Sequence, residues 1–123
     1  MPKVTYSAAK GLVQETGSGI VLEKTDGTCS GDAATIGGTT GVITLEADAI
    51  AAGGVGDQQT ITNGNVTTAS VVLLKTHSDS DGTGIPVPMM TNITNGTFTF
   101  LLQNAHVSGG INAGNVKVSY VIL

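Results

Sequence analysis

Glycine and threonine set the strongest constraint on how this chain can fold. Each of them occurs eighteen times in 123 residues, whereas a soluble domain averages only about 7% glycine. The glycines are scattered rather than periodic, and β-branched residues fill the intervals between them. Such a composition is typical of many short strands joined by tight turns, and it disfavours helices and disordered tails. We therefore expect an all-β protein.

The charged residues are few and dispersed, which argues against several classes of function. The net charge is −4, and the basic residues are five lysines without a cluster. Because no basic patch could neutralise phosphates, we expect no binding to nucleic acid. The single cysteine, Cys29, cannot form a disulfide within the chain, and we expect a buried or strand-edge thiol there. No apolar run approaches the roughly 20 residues of a membrane span, so we expect no membrane partner and a protein made and assembled in a cytosol.

The apolar residues predict an aliphatic, thin core of the kind found between two packed sheets. Only four residues are aromatic, although large rings dominate the energetics of many cores. Phe98, Phe100 and Leu102 alternate along one face of a predicted strand. The continuous apolar run 70–75 predicts a central strand that is buried on both faces. The predicted core is Val71, Val72, Leu73, Phe98, Phe100, Val118 and Tyr120.

Turn signals divide the chain into about seven to nine strands, among them one at 29–36, and a polar, turn-rich loop is predicted at 76–84. Asp26-Gly27 and Asn95-Gly96 are hairpin-turn sequences. The prolines at 86 and 88 restrict their segment to a sheet edge or to an extended entry into a strand. Residues 47–52 could form one helical turn, but an extended lead into a loop is favoured. We predict a β-sandwich with jelly-roll-like or Greek-key topology. Residues 1–24 are predicted to form an extended N-terminal arm with short strands, and residues 25–123 the sandwich domain.

The polar residues offer few arrangements that could perform chemistry. His77, Asp79 and Asp81 alternate in a predicted loop, and oxygen ligands at alternate positions can converge on a cation. A solvated hairpin loop is favoured there, because the closing glutamate of a calcium loop is missing. His77 and His106 lie in predicted loops, and no nucleophile elbow or phosphate-binding loop occurs. We expect no enzymatic activity, no catalytic residues, no cofactor and no metal.

Several segments together resemble small structural virion proteins of tailed bacteriophages, and the resemblance spans nearly the whole chain. The first segments are YSAAKGLVQ (6–14), GSG (17–19), CSGDAATI (29–36) and GVIT (41–44). The later segments are TITN (60–63), VTTASVVL (66–73), GTFTF (96–100) and residues 112–123. The resemblance implies a capsid decoration (cement) protein or a module of a tail fibre, and it implies no catalytic residues.

Two functions follow from this resemblance. A decoration protein on the capsid surface would lock neighbouring copies of the major capsid protein together. A tail-fibre or receptor-binding module would instead recognise the host cell surface, including its glycans. Decoration is favoured, because fibre proteins usually carry a long shaft and because the loops of this chain are poor in the aromatic residues that stack on sugars.

The thin core suggests that the chain gains further burial from copies of itself. We expect a homo-oligomer, specifically a trimer, because a small trimer at a threefold position of a capsid contacts three neighbours at once. The arm is expected to reach the capsid or a neighbouring subunit by strand addition. The residues expected to make that contact are Leu12, Val13, Ile20, Val21 and Leu22.

Overall fold

The computed structural model describes residues 4–7, 11–14, 24–80 and 82–123, and their regular structure is almost entirely β. Apart from one 3-10 turn at Ala113–Asn115, these residues contain no helix. None of the described helical structure is long and apolar enough to cross a membrane. The all-β prediction is therefore confirmed. The strands are β1 Val4–Ser7, β2 Gly11–Gln14, β3 Gly27–Thr28, β4 Ala33–Thr35, β5 Thr40–Thr44, β6 Ala49–Ile50, β7 Gln59–Thr62, β8 Val72–Asp79, β9 Pro86–Thr94, β10 Thr97–Asn104, β11 Ile111–Asn112 and β12 Val116–Ile122.

Two four-stranded sheets account for most of the described chain. In sheet 1 the strand order is β3-β5-β12-β8, and in sheet 2 it is β4-β7-β10-β9. Two small antiparallel pairs, β1-β2 and β11-β6, accompany them. Most neighbours are antiparallel, but β3 runs parallel to β5, and β4 runs parallel to β7. Both four-stranded sheets are therefore mixed.

The β9–β10 hairpin forms at the predicted Asn95-Gly96 turn. Thr94 pairs with Thr97 directly across it, and Gly96 has a φ of 81°, which glycine adopts without steric cost. A register shift between Thr99 and Phe100 marks a bulge in this pairing. Strand β9 is one of the two edge strands of sheet 2, in agreement with its prolines, since proline cannot donate a ladder hydrogen bond.

The core lies where side chains of β10 and β12 meet. Phe98, Phe100 and Tyr120 are fully buried. The ring of Phe98 lies 6.4 Å from that of Phe100 and 6.2 Å from that of Tyr120, centroid to centroid. Val118 and Val72 join the same buried cluster. Because Phe98 belongs to sheet 2 and Tyr120 to sheet 1, their contact joins the two sheets through one core.

The core prediction is wrong at Val71 and Leu73. Each of them is 54% exposed, whereas Val72 between them is buried. Strand β8 is an edge strand of sheet 1 rather than a central one, and its residues alternate between a buried and an exposed face. A continuous apolar run thus became a strand that is covered on one side only.

Three predictions of local structure also need correction. The predicted loop at 76–84 begins later, because β8 continues to Asp79 and includes His77. The Asp26-Gly27 step makes no hairpin, since β3 begins at Gly27 and pairs in parallel with β5. The predicted strand 29–36 is shorter, because a turn interrupts it and only Ala33–Thr35 forms a strand, β4. Gly31 and Asp32 have φ values of 59° and 58°, and Ser30 pairs with Ala33 across them.

Segment 47–52 is extended, as favoured from the sequence. It contains the short strand β6, which pairs with β11. The fully buried Asn104 anchors this region, because its Nδ2 donates to the carbonyl oxygens of Gly109 at 2.7 Å and Ala51 at 3.3 Å. Its Oδ1 accepts from the backbone amides of Ile85 and His106, each at 3.1 Å. One buried amide thereby holds three loop segments together.

Candidate interaction surface

The outward side of sheet 2 is set by the alternation of β10. Its even-numbered residues from Phe98 to Asn104 are buried, and the odd-numbered residues between them lie on the opposite side of the sheet. Neighbouring strands place their partners beside these odd positions, because residues directly opposite in a ladder share a face. We call this outward side of sheet 2 the uncharged face, because the strands that form it contain no charged residue.

Apolar side chains occupy one half of the uncharged face. Met89 pairs with Leu101, and Val87 pairs with Gln103. On the opposite side of β10, Val55 pairs with Gln103 through an isolated β-bridge. Val55 is 53% exposed, Met89 is 44% exposed and Val87 is 38% exposed. Two segments, β9 and the one at Val55, thus present apolar groups to solvent on either side of β10.

Threonines occupy the other half of the uncharged face. Across the β7–β10 pairing, Thr99 lies opposite Thr60 and Thr97 lies opposite Thr62. Thr97 also lies opposite Thr94 on the other side, in β9. The hydroxyl oxygens of Thr91 and Thr99 are 2.6 Å apart, which is a hydrogen bond. This half therefore carries rows of hydroxyl groups rather than ionic groups.

No charged side chain lies in any strand of sheet 2. Strands β4, β7, β9 and β10 contain no Asp, Glu, Lys or Arg. The same absence extends through the whole segment 82–116 of the sequence. Since charged residues are depleted from the centres of protein interfaces, a sheet face without them is a candidate contact surface.

The outward side of sheet 1 differs sharply in charge. Lys117 and Lys75 are exposed on β12 and β8, and the Nδ1 atom of His77 lies 3.0 Å from the hydroxyl of Ser119. Asp26 accepts a 2.9 Å hydrogen bond from the backbone amide of Val42 and lies 3.4 Å from the Lys24 ammonium. The Val42 hydrogen bond lowers the pKa of the Asp26 carboxyl, and Lys24 lowers it further. This side is a solvated, ionic surface.

The residues predicted to contact a capsid or a neighbouring subunit lie in the arm. Leu12 and Val13 belong to β2, where they pair with Tyr6 and Thr5 of β1. Ile20, Val21 and Leu22 lie outside the described residues. The structure therefore places two of the five predicted residues in an antiparallel strand pair, and the predicted contact itself stays a prediction.

The alternating His77, Asp79 and Asp81 do not form a described cation site. His77 and Asp79 lie in β8, and Asp81 is outside the described residues. Among the residues that the structure describes, no group of three or more His, Cys, Asp or Glu side chains is placed to hold a metal ion. Two positions of the motif were thus incorporated into a strand.

The remaining chemically reactive side chains, His106 and Cys29, hold structural positions. His106 lies in the loop after β10, as predicted, and its Nδ1 accepts from the backbone amides of Gly109 at 2.7 Å and Ser108 at 3.1 Å. Cys29 is a buried free thiol. Burial raises its pKa to about 11, with further contributions from the negative charges of Asp32 and Glu46. A raised pKa disfavours the thiolate, which is the reactive form.

No pocket was found in the parts of the chain that the structure describes. Comparisons with known protein families, with curated proteins and with solved structures found no match. The candidate surface therefore rests on the geometry and charge given above. The sequence signal for this surface is the run 82–116, which contains no charged residue.

Proposed function

We propose that this chain is a structural virion protein that decorates and stabilises a bacteriophage capsid by bridging neighbouring capsid subunits. The observation that carries the proposal is the uncharged face, a broad sheet surface that presents Val55, Val87 and Met89 to solvent. Such a surface suits contact with another protein chain, a second copy included, as expected of a protein that works as part of an assembly. The resemblance to virion proteins of tailed phages adds the capsid as the setting. In this role the protein is not an enzyme and needs no cofactor or metal.

The proposed decoration protein is a homotrimer on the outer surface of the capsid. A trimer at a threefold or quasi-threefold position holds three major capsid proteins at once, so individually weak contacts combine into strong attachment. The arm, residues 1–24, supplies the attachment by adding a strand to a capsid or neighbouring subunit. Leu12 and Val13 are the described residues of the arm that would take part.

We propose that the domain behind the arm is a β-sandwich with jelly-roll-like connections. The ring contact between Phe98 and Tyr120 and the shared buried cluster support two sheets packed on one core. The parallel pairs β3-β5 and β4-β7 depart from a wholly antiparallel jelly roll. The Greek-key alternative would also place both sheets around this core.

Deletion of the arm tests the proposal on purified capsids. The variant lacking residues 1–24 is expected to fold as a β-domain and to lose capsid binding, because the attachment strand is gone. Binding is measured by co-sedimentation with particles and by imaging of the decorated particles. The control is Val107→Ser, a change at a residue that is 94% exposed outside the arm, and it should decorate like the unmodified protein.

Two results would contradict this proposal. Decoration by the truncated protein at the occupancy of the full chain would show that the arm is not the attachment device. Location of the full chain only at the tail tip of the particle would instead support the receptor-binding function, in which the host surface and its glycans are the partners.

A further inference from the structure

We propose that the uncharged face is the surface through which copies of this chain contact one another. The inference rests on the proposed homotrimer and names its interface: the uncharged faces of three copies surround the threefold axis. The occupant of the face is thus a second copy of this chain. Three properties of the face lead to this assignment.

The first property is charge. The chain carries a net charge of −4, so two copies repel each other wherever acidic groups approach. The strands of sheet 2 contain no charged side chain. Lysines and Asp26 line the outward side of sheet 1 instead. Identical charged surfaces that meet on a symmetry axis place like charges together, which costs several kcal/mol. The strands that form the uncharged face contribute no such charge.

The second property is the self-complementarity of the polar half. A hydroxyl group both donates and accepts hydrogen bonds, so a row of threonines can pair with an identical row. Lysine or carboxylate rows cannot do so, because each offers only donors or only acceptors. Thr60, Thr97 and Thr99 are partly exposed in neighbouring rows, and the Thr91–Thr99 hydrogen bond shows two such hydroxyls pairing within one copy.

The third property is size. Strands β9 and β10 and the segment 55–62 beside β10 are each about eight residues long, and β4 adds three residues. At about 3.4 Å per residue and about 4.8 Å between strands the face spans roughly 450 Å², so two such faces bury roughly 900 Å². That area is close to the roughly 1,000 Å² expected of a specific interface. The β9 edge of the sheet is a poorer contact, since Pro86 and Pro88 in β9 have no N–H to donate to an added strand.

The test places a charge in the centre of the apolar half. Met89→Glu is expected to weaken self-association by about 100-fold, because symmetry brings the new carboxylates together. Molar mass is measured by light scattering after size-exclusion chromatography, across a range of protein concentrations. Leu73→Glu is the matched control, since Leu73 is a similarly exposed apolar residue on the outward side of sheet 1, and its oligomer should persist. Circular dichroism confirms that both variants fold.

A rescue experiment distinguishes an interface from a damaged fold. The oligomer of the Met89→Lys variant should also dissociate. An equimolar mixture of the Met89→Glu and Met89→Lys variants should form oligomers again, because opposite charges then meet. A dimer that responds in the same way would support the face but overturn the threefold arrangement.

Three results would overturn the inference: a monomeric unmodified protein, an oligomer that survives Met89→Glu, or an oligomer that Leu73→Glu dissociates. Capsid binding, measured separately with these variants, decides the proposed function. A monomer that still binds particles through its arm would refute this interface and leave the decoration function standing.

Discussion

Tyr120 shows how one residue can connect distant parts of the chain. Its ring packs against Phe98 in the core, and its hydroxyl donates to the carbonyl oxygens of Thr25 at 2.8 Å and Gly38 at 3.2 Å. A buried hydroxyl must find such a partner, because an unsatisfied polar group in the core costs about 1–3 kcal/mol. The same side chain therefore joins the two sheets and ties down the segments that precede β3 and β5.

At Cys29 the surroundings predict a slow reaction with thiol reagents. With a pKa raised from 9.0 to about 11, the native thiol should contain about 100-fold less thiolate at pH 8 and react at least that much more slowly than a free thiol. The measurement is the rate of disulfide exchange with an aromatic disulfide reagent. The same protein unfolded in guanidinium serves as the control and should react rapidly.

The shifted pKa also fixes the sign of a pH effect. The unfolded thiol loses its proton first as the pH rises, so the free energy of unfolding should fall between about pH 9 and pH 11. Cys29→Ala should remove this part of the alkaline loss. Rapid labelling of the native protein at pH 8 would contradict the burial of Cys29.

Among the elements, the β9–β10 hairpin is a case in which a two-residue sequence signal was sufficient to predict the turn. The Asn95-Gly96 step lies between two runs with strand character, and the turn formed there as predicted. The Asp26-Gly27 step carries a comparable signal but formed no hairpin, because the following residues pair in parallel with β5. The turn instead formed at Gly31-Asp32, where both φ values are positive, as a type I′ turn requires.

Replacement of Gly96 tests the hairpin as an element. Gly96→Ala should lower the free energy of unfolding by about 1–2 kcal/mol, since an alanine pays a steric penalty at a φ of 81°. Gly37→Ala is the matched control, because an added Cβ at Gly37 meets no atom within 4 Å and no positive φ is required there. Urea unfolding of both variants gives the comparison. Equal stabilities would mean that the turn relaxes without cost.

Strand β8 shows the opposite case, in which a strong signal predicted the wrong surroundings. The run from Val71 to Leu74 is apolar throughout, yet Val71 and Leu73 are half exposed. Apolar side chains on both sides of a strand cannot reveal whether the sheet has a neighbour on each face. In the described structure, other residues pack only on the side of β8 that carries Val72.

At the scale of the whole molecule, charge is distributed unequally between the two sheets. Lys75, His77 and Lys117 belong to strands of sheet 1, and no strand of sheet 2 carries a charged residue. The alternation along each strand turns this difference in sequence into a difference between two outward surfaces. This difference in charge agrees with the proposed roles of the two surfaces, in which the outward side of sheet 2 contacts other copies and the outward side of sheet 1 contacts solvent.

This arrangement predicts an unusual response of the oligomer to salt. Because the proposed interface contains no ion pairs and the copies carry net negative charge, raising sodium chloride from about 0.05 M to about 1 M should leave self-association unchanged or tighten it. Sedimentation velocity at several salt concentrations measures the effect. Dissociation at high salt would mean that ion pairs hold the copies together, against the proposed interface.

The sequence by itself determined the all-β class and the register of the best strands. The alternation at Phe98, Phe100 and Leu102 and at Val118 and Tyr120 specifies which side is buried, because successive side chains in a strand point to opposite faces. It also placed the Asn95-Gly96 turn and the edge strand with its prolines, since both depend on the local backbone preferences of single residues.

Only the tertiary structure decided which strands are neighbours, and with them the candidate surface. The uncharged face exists only because β7, β9 and β10 lie side by side and Val55 pairs with Gln103. These contacts join residues that are far apart in the chain. The exposure of Leu73 likewise depends on β8 lying at a sheet edge. Local propensity carries no information on such pairings, because their energy comes from side chains that meet only after the chain has folded.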